Sequence, residues 1–487
     1  MFFLVVSFLV PKSQKNLDSF LFPGFHHLTA IQRECLAMWD PLTDSHYSSH
    51  IYLLFTTADG PGLVYWDRMV GHSGKNGCHL YCGLPGRRKE HTNRYYPALL
   101  CPRDHVAEGS NHPDIQVFNL PPGGSSDYSV NLNKIVAVPN PTQWDKMKTE
   151  TSLTKPSLIL GLDCARSLGV PLCMTTDIMH LASNILDLLI FLWHGEMDVS
   201  GNDDKSTWDW AVLRDEARWV SHGQDVAAAG HLLPGSYDRK PRNLAEKINM
   251  QYKTWEFQLY TFGLAPVLLY GILPMKYWSH FCLLVRGFQI MCQHSLTHEQ
   301  LQDAHALLCT WQHDFKLIYY QLHHDRLHFV RPAVHQVIHL MPEAFQKGPP
   351  ICYVQWTMER TIGNLGQQIR QPSKPYANLA CEGMQHCQVS ALLSIMPELN
   401  TPPNTLPYGS VDIGDGYILL RKRSKYSISP DGILARAFNE YLAIPQLLPC
   451  ITKWAWLLLP NRQIARSAWW EMLKSQETMR ISRNVKV

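Results

Sequence analysis

The sequence predicts an α/β protein that is helical over most of its length. Three observations carry this expectation. Short, nearly unbroken apolar runs at 2–10 and 51–58 flank an amphipathic stretch, which is the strand, helix, strand order of a parallel unit. From about 150 to 345, apolar residues recur at three- and four-residue steps between Pro and Gly breaks, the pattern of a helical block. Composition, 45% hydrophobic and 17% charged over 487 residues, supplies a substantial core, and the length corresponds to about three domains.

The first element, MFFLVVSFLVP, has two readings. As a signal peptide it lacks a positive segment before the apolar run and a small-residue cleavage site after it, and it is too short to span a bilayer. As a buried parallel strand it has the Val- and Phe-rich composition such strands show. After a loop punctuated by Pro11, Pro23 and Gly24, residues Leu28, Ile31, Cys35, Met38 and Trp39 keep helical spacing, with Gln32, Arg33 and Glu34 turned outward. This predicts a helix ending at Asp40-Pro41. IYLLFTTADGPG, 51–62, reads as a second strand broken at Gly60, Pro61 and Gly62. Asp59 stands at the carboxyl end of that strand, where ligands gather in open α/β sheets; it also fits a turn aspartate before glycine.

VGHSGKNGCHLYCGLPGRRK, 70–89, sets Cys78 and Cys82 in a Gly-rich loop at a spacing zinc sites use, although one pair is half a site. His335 and His339 lie one helical turn apart, as two ligands to one metal must. Two Cys and two His make a closed tetrahedral set, here an internal brace; two unrelated cysteines and an ordinary histidine pair fit the same spacing. In the stretch from His335 to Gly366 only Glu343 and Glu359 are acidic, and Glu359 sits inside a helical pattern.

The region 102–150, rich in Pro, Gly, Ser and Asn, reads as a connecting region. The helical block then carries five segments, 175–193, 208–220, 243–263, 277–293 and 301–322, with breaks at Pro234, Gly263, Pro266 and Pro274. Asp177 and His180 open the first of these, where an aspartate N-cap is the structural reading. The many Trp and Tyr are core residues in this pattern. Beyond 401 the chain has a basic run, Arg421 to Lys425, and scattered cations at Arg462, Arg466, Arg480, Arg483 and Lys486. Such a run is a solvated face, a phosphate contact or a nuclear-import signal.

Thirteen cysteines at irregular spacings differ from a secreted disulfide framework and point to a reducing compartment. A net charge of +3 neither requires nor excludes nucleic acid. No internal repeat and no low-complexity segment is present.

The ordered set KNLDSFLFPG, ADGPG, GHSGKNGCHLYC, DIMH, HQVIH and WTMERTIGNLG resembles the transposases of CACTA (En/Spm-like) DNA transposons, especially fungal forms, over most of residues 2–395. The resemblance implies a ribonuclease H-like core interrupted by a large α-helical insertion. Asp59 and Glu359 match the second and third carboxylates of a DDE triad that holds Mg²⁺ or Mn²⁺, and Cys78, Cys82, His335 and His339 match a structural zinc site. Asp177 and His180 match an element of the insertion. The implied partners are DNA at transposon ends and a second copy of the chain, with no membrane, and the implied location is the nucleus. Arg87, Arg88, Lys89, Arg421, Lys422 and Arg423 are the candidate DNA contacts.

The organisation that follows is a partial core over 1–101, the connecting region over 102–150 and the insertion over 151–345. A return to the core with the Glu359 helix occupies 346–400, and an accessory region 401–487. The family's first aspartate lies on a strand upstream of the segment that begins here at Met1, and Asp18, Asp40 and Asp44 come too late in the order. The expectation is therefore a catalytically incomplete chain. A zinc-braced protein that holds DNA without cutting it, and a secreted protein with a signal peptide, are the alternative readings.

Overall fold

The helix α1 (Asp18–Glu34) opens the computed structural model, which describes residues 18–40, 43–121, 123–199, 203–230, 232–233, 240–248, 252–368, 373–400, 406–442, 450–460 and 464–472. The strand expected over 2–10 lies outside these residues, as does the signal-peptide reading of the same segment, and so do Arg462, Arg480, Arg483 and Lys486. Two compact units make up the chain, residues 1–219 with 253–367, and residues 220–252 with 368–487.

In the first unit α1 is tied down by Asp18, which pairs with Arg68 and with Lys155 at 2.5 Å. It ends earlier than its apolar spacing suggests. Core contact stops at Gln32, whose amide donates to the Arg166 carbonyl at 3.2 Å, and Cys35 turns left-handed at φ 63°. Met38 and Trp39 then lie in a hairpin, β1 (Leu36–Asp40) against β2 (Ser45–Ser49), with Met38 opposite Tyr47. The expected helix through Trp39 is thereby corrected. Its last apolar positions have no core to meet, and cross-strand hydrogen bonds satisfy the backbone instead.

Among the described residues, the extended segment 51–58 makes two isolated parallel bridges, Leu53 with Ser167 and Thr56 with Met174. It leads into α2 (Gly60–Asp67), which Asp59 caps by accepting the Gly62 N–H at 2.7 Å. A two-residue hairpin follows, β3 (Arg87–Arg88) with β4 (Tyr95–Tyr96). The region expected to be a connection holds two helices, α3 (Ser125–Val136) and α4 (Pro141–Thr151). In α3, Tyr128, Leu132 and Ile135 pack against Leu63, Met69, Tyr81 and Leu153, so a narrow apolar stripe suffices within a polar sequence. Asn140 caps α4 by accepting from Gln143 N, with Pro141 in its first turn.

The helical block is centred on α5 (Ile178–His194), with Asp177 as its cap and Gly195 closing it in the left-handed region. Eleven of its 17 residues are buried, so it is surrounded rather than lying on a surface. The expected helix over 208–220 divides into a 3₁₀ turn at Val212–Arg214 and α6 (Glu216–Ala229). That over 243–263 divides into α7 (Leu244–Lys247) and α8 (Thr254–Leu259), followed by a π-turn and α9 (Ala265–Leu268). The two long helices α10 (Met275–Met291) and α11 (His298–Phe315) pack together, and a π-turn at Lys316–Tyr320 ends the second. Short helices α12 (Pro332–Gln336) and α13 (Leu340–Lys347) flank a 3₁₀ turn, and α14 (Trp356–Gln368) carries Glu359.

The second unit holds most of α6, all of α7, and α15 (Pro375–Ile395), α16 (Gly432–Leu442) and α17 (Ala468–Met472). Its four-stranded antiparallel sheet runs in the order β5 (Val411–Asp412), β6 (Ile418–Leu419), β7 (Trp456–Leu458) and β8 (Ile464–Arg466). Among the described residues no helix is long and apolar enough to cross a membrane.

Trp193 is the test of the helical core. It is fully buried, meets Phe281 edge-on at 5.3 Å and donates to the Tyr319 hydroxyl at 3.0 Å. Trp193→Ala is expected to lower unfolding free energy by about 3–5 kcal/mol, read by urea titration; a loss below about 1 kcal/mol contradicts this packing.

Candidate metal centre and adjoining cleft

The loop after α2 is shaped by local hydrogen bonds of its own. Tyr81 N donates to Cys78 O at 2.8 Å, and the Tyr81 hydroxyl donates to Thr151 O at 2.6 Å, so the turn between the cysteines is fixed from both ends. Gly123 lies against it. A Cβ there would stand 2.3 Å from the Cys82 carbonyl carbon and 2.6 Å from Gly83 N, so any side chain at 123 displaces the Cys82 backbone.

Against this loop come His335 from α12 and His339 from the 3₁₀ turn. One donor atom from each of Cys78, Cys82, His335 and His339 lies within 4.8 Å of every other. Cys82 Sγ is 3.4 Å from His335 Nε2, which is 3.0 Å from His339 Nε2. Cys78 and both histidines are buried and Cys82 is half-buried. A hydrogen bond with Cys78 holds the Cys82 thiol below its ordinary pKa against the effect of burial. Burial lowers His335, and although it acts the same way on His339, the charge and hydrogen bond of Cys78 raise that ring overall. Two sulfurs and two imidazole nitrogens, converging and shielded from water, are the donor set of a closed tetrahedral site, and the group can hold a metal such as zinc.

Next to the centre is a buried polar network that the sequence did not disclose. Glu343, one turn beyond His339, accepts from Thr176 N at 2.7 Å through one oxygen and from the Thr176 hydroxyl at 2.6 Å through the other. His79 Nε2 stands 3.1 Å from the same hydroxyl and 3.7 Å from Glu343, and Lys347 Nζ reaches Met174 O at 2.6 Å. Burial alone would raise the Glu343 carboxyl; the hydrogen bond and charge of His79, with Lys347 and Thr176, hold it below the usual range. The one available signal was spacing, since His335, His339, Glu343 and Lys347 recur every four residues.

The adjoining cleft has a volume of about 780 Å³ and is lined by Asp59, Asp177, His180, Lys89, Arg94 and Arg331 among others. Asp177 is more than a cap. One oxygen serves the His180 backbone N–H at 3.3 Å and the ring Nδ1 at 2.5 Å, and the other accepts from Gln355 N at 3.2 Å, just before α14. His180 Nε2 lies 3.7 Å from Glu359 Oε1. The Asp177 hydrogen bond is the main cause that raises the His180 pKa; burial opposes it, and the charges of Asp177, Glu359 and Asp59 add to it. Asp59 and Glu359 thus both act on one imidazole, although they are 300 positions apart. Glu359 itself keeps about half of its side chain exposed, at 53%.

Lys89 lines the cleft and meets His328 Nδ1 at 2.8 Å, Arg331 pairs with Asp187 at 3.1 Å, and Arg94 lies over the Tyr96 ring at 5.6 Å. Arg87 does not match the surface role its basic neighbours suggest. It is fully buried, and its guanidinium donates to the carbonyls of Ala98, Leu99, Ser110, His112 and Pro113 at 2.7–3.3 Å, leaving no face for DNA. Arg88 donates to Glu108 O. In the second unit Arg421, Lys422 and Arg423 are exposed and lie over Tyr408, Trp470 and Trp454 at 5.2, 3.7 and 5.5 Å. Compared with known proteins, the chain matches no family model, no curated protein and no solved structure.

The metal centre makes a direct prediction. Purified protein is expected to carry one zinc per chain, and Cys78→Ser or His339→Ala to abolish the stoichiometric metal and lower stability. Gly123→Ala, which replaces no ligand, is expected to weaken zinc retention in a competition with a chromogenic chelator by moving the Cys82 backbone. Unchanged zinc content in Cys78→Ser contradicts the assignment.

Proposed function

We propose that this chain is a DDE-transposase-related protein of the CACTA kind, which binds DNA and presents a phosphodiester to divalent cations in the cleft. The observation that supports it best is that Asp59 and His180 line one cleft, with Glu359 Oε1 3.7 Å from His180 Nε2, and that a two-Cys, two-His centre adjoins it. In this reading the parallel pairing of 53–56 with 167–174 belongs to a ribonuclease H-like core, and the helices up to residue 345 are its insertion. Zinc in the Cys78, Cys82, His335 and His339 site is structural. The partners are DNA ends and a second copy of the chain, and the location is the nucleus.

The roles follow from the chemistry of the residues present. Asp59 and Glu359 offer hard carboxylate oxygens of the kind Mg²⁺ or Mn²⁺ takes. Held there, such cations supply activation of an attacking oxygen and charge stabilisation of the leaving one. Asp177 fixes the orientation and tautomer of His180 through Nδ1, leaving Nε2 toward Glu359. Lys89, Arg94 and Arg331 add positive charge to the cleft that Asp59 lines, where a phosphate would lie. In the second unit, Arg421, Lys422 and Arg423 are sequence-independent phosphate contacts.

A second reading, holding DNA without cutting it, is favoured by one observation: Asp59 already spends an oxygen on capping α2. The two readings share DNA binding and part at cleavage. Duplex binding measured by fluorescence anisotropy is expected to weaken about 10³-fold between 50 and 200 mM salt, as for a protein neutralising several phosphates. Arg94→Ala is expected to weaken binding by roughly tenfold or less and to lower the salt slope by about one. Fe²⁺ with ascorbate, used as a cation probe, is expected to cleave the chain near 59 and 359, with the cuts lost in Glu359→Gln. Mn²⁺-dependent DNA nicking lost in Glu359→Gln selects the catalytic reading, and binding without nicking selects the other. Absence of both DNA binding and Fe²⁺ cleavage overturns the proposal.

A further inference from the structure

The residues His335, His339, Glu343 and Lys347 form a polar row with four-residue spacing, and each member fixes a different part of the chain. The two histidines meet the cysteine loop, Glu343 holds Thr176 and Lys347 holds the Met174 carbonyl. Thr176 is followed directly by Asp177, which caps α5, orients His180 and accepts from Gln355 N at the entry to α14. Gln355 O in turn accepts from Glu359 N at 2.8 Å. A continuous line of short contacts therefore runs from the metal centre to the cleft.

We infer that Glu343 is a positioning residue that couples metal loading of the Cys78, Cys82, His335 and His339 centre to divalent-cation binding by Asp59 and Glu359. This rests on the cation-binding reading of the cleft given above. Glutamate suits the position because Thr176 presents two donors, its N–H and its hydroxyl, one to each carboxylate oxygen, while His79 and Lys347 approach from 3.7 and 3.9 Å. An ionised carboxylate only accepts, so every neighbour is matched. A glutamine of the same volume has to set its NH₂ against one of these donors. Coupling of this kind is reciprocal: what zinc does for the cleft cation, the cleft cation does for zinc.

The test uses the full chain, zinc-loaded and after zinc chelation, as wild type, Glu343→Gln and Thr176→Val. Two quantities are read: amide hydrogen exchange over 174–181 by mass spectrometry, and Mn²⁺ affinity by electron paramagnetic resonance, with Asp59→Asn to show that Mn²⁺ is in the cleft. Glu343→Gln is expected to keep one zinc per chain, to speed exchange over 174–181 and to weaken Mn²⁺ binding about fivefold or more, within the usual range of coupling between sites. Chelating zinc is expected to do the same to the wild type and to add little in Glu343→Gln. Thr176→Val, which deletes the hydroxyl from the other side, is expected to shift both readouts in the same direction by less. The inference is overturned if zinc-loaded Glu343→Gln exchanges and binds Mn²⁺ like the wild type, or if its effect and that of chelation simply add. It is also overturned if Glu343→Gln loses zinc and excess zinc restores both readouts, since Glu343 then only supports the centre. If Asp59→Asn leaves Mn²⁺ affinity unchanged, the cleft reading fails and the coupling falls with it, whereas a wild-type-like Glu343→Gln overturns the coupling and leaves the cleft reading standing.

Discussion

The convergence of two cysteines and two histidines from segments 253 positions apart, Cys82 with His335, is the constraint on which the rest of the first unit depends. Closing so long a loop costs chain entropy, and the four donors are polar groups withdrawn from water. Neither cost is offset by the donors alone, because two imidazole nitrogens 3.0 Å apart and two sulfurs are poor partners for each other. A bound metal turns the same set into one closed coordination shell, so its binding energy becomes folding energy for both segments. The loop that supplies the cysteines also carries Lys89 to the cleft, and the α12 to α13 segment that supplies the histidines also carries Glu343 to the start of α5. Two sides of the cleft are therefore placed by one coordination site.

Three of the buried charges around that site are handled alike: each is given at least one backbone group that cannot move away. Arg87 is saturated by loop carbonyls, Glu343 by Thr176 with His79, and Asp177 by two backbone N–H groups and an imidazole. A buried ion pair contributes little net stability when its desolvation is counted, but removing one partner is costly, because the other is left uncompensated. Such contacts fix position more than they add stability. They occur here where a loop, a helix start or a helix entry must be held to within a fraction of an ångström of the cleft.

Much of this was legible in the sequence where periodicity controls the outcome, and little of it where tertiary contact does. The helices α5, α10 and α11 follow from apolar residues at three- and four-residue steps, and the cysteine and histidine pairs were visible as a donor set. The hairpin at 36–49 was not, because Leu36 to Trp39 continue a helical pattern and only the end of core contact at Gln32 stops it. The helices α3 and α4 hid in a polar, Pro-containing stretch in which Asn140-Pro141 marks a helix start as readily as a turn. Arg87 read as surface charge because no local pattern announces that distant carbonyls will surround it. Glu343 looked like an isolated acid, since its partner Thr176 lies 167 positions away.

The motif ADGPG, Ala58 to Gly62, shows how a structural and a chemical role can share one side chain. Asp59 accepts the Gly62 N–H through Oδ1, and a Cβ on residue 62 would stand 2.6 Å from that same oxygen and 2.9 Å from the Ala58 Cβ, so glycine is what lets the carboxylate approach. Pro61, in the first turn, has no N–H to leave unpaired. Capping is worth about 1 kcal/mol and occupies one of the several lone-pair positions of the carboxylate, leaving Oδ2 uncommitted by the cap. Asparagine retains the capping oxygen and removes the negative charge, whereas alanine removes both. The helix cap and the cation site are therefore chemically separable at this residue: a change that spares the first and eliminates the second isolates the electrostatic part of what Asp59 contributes to the cleft.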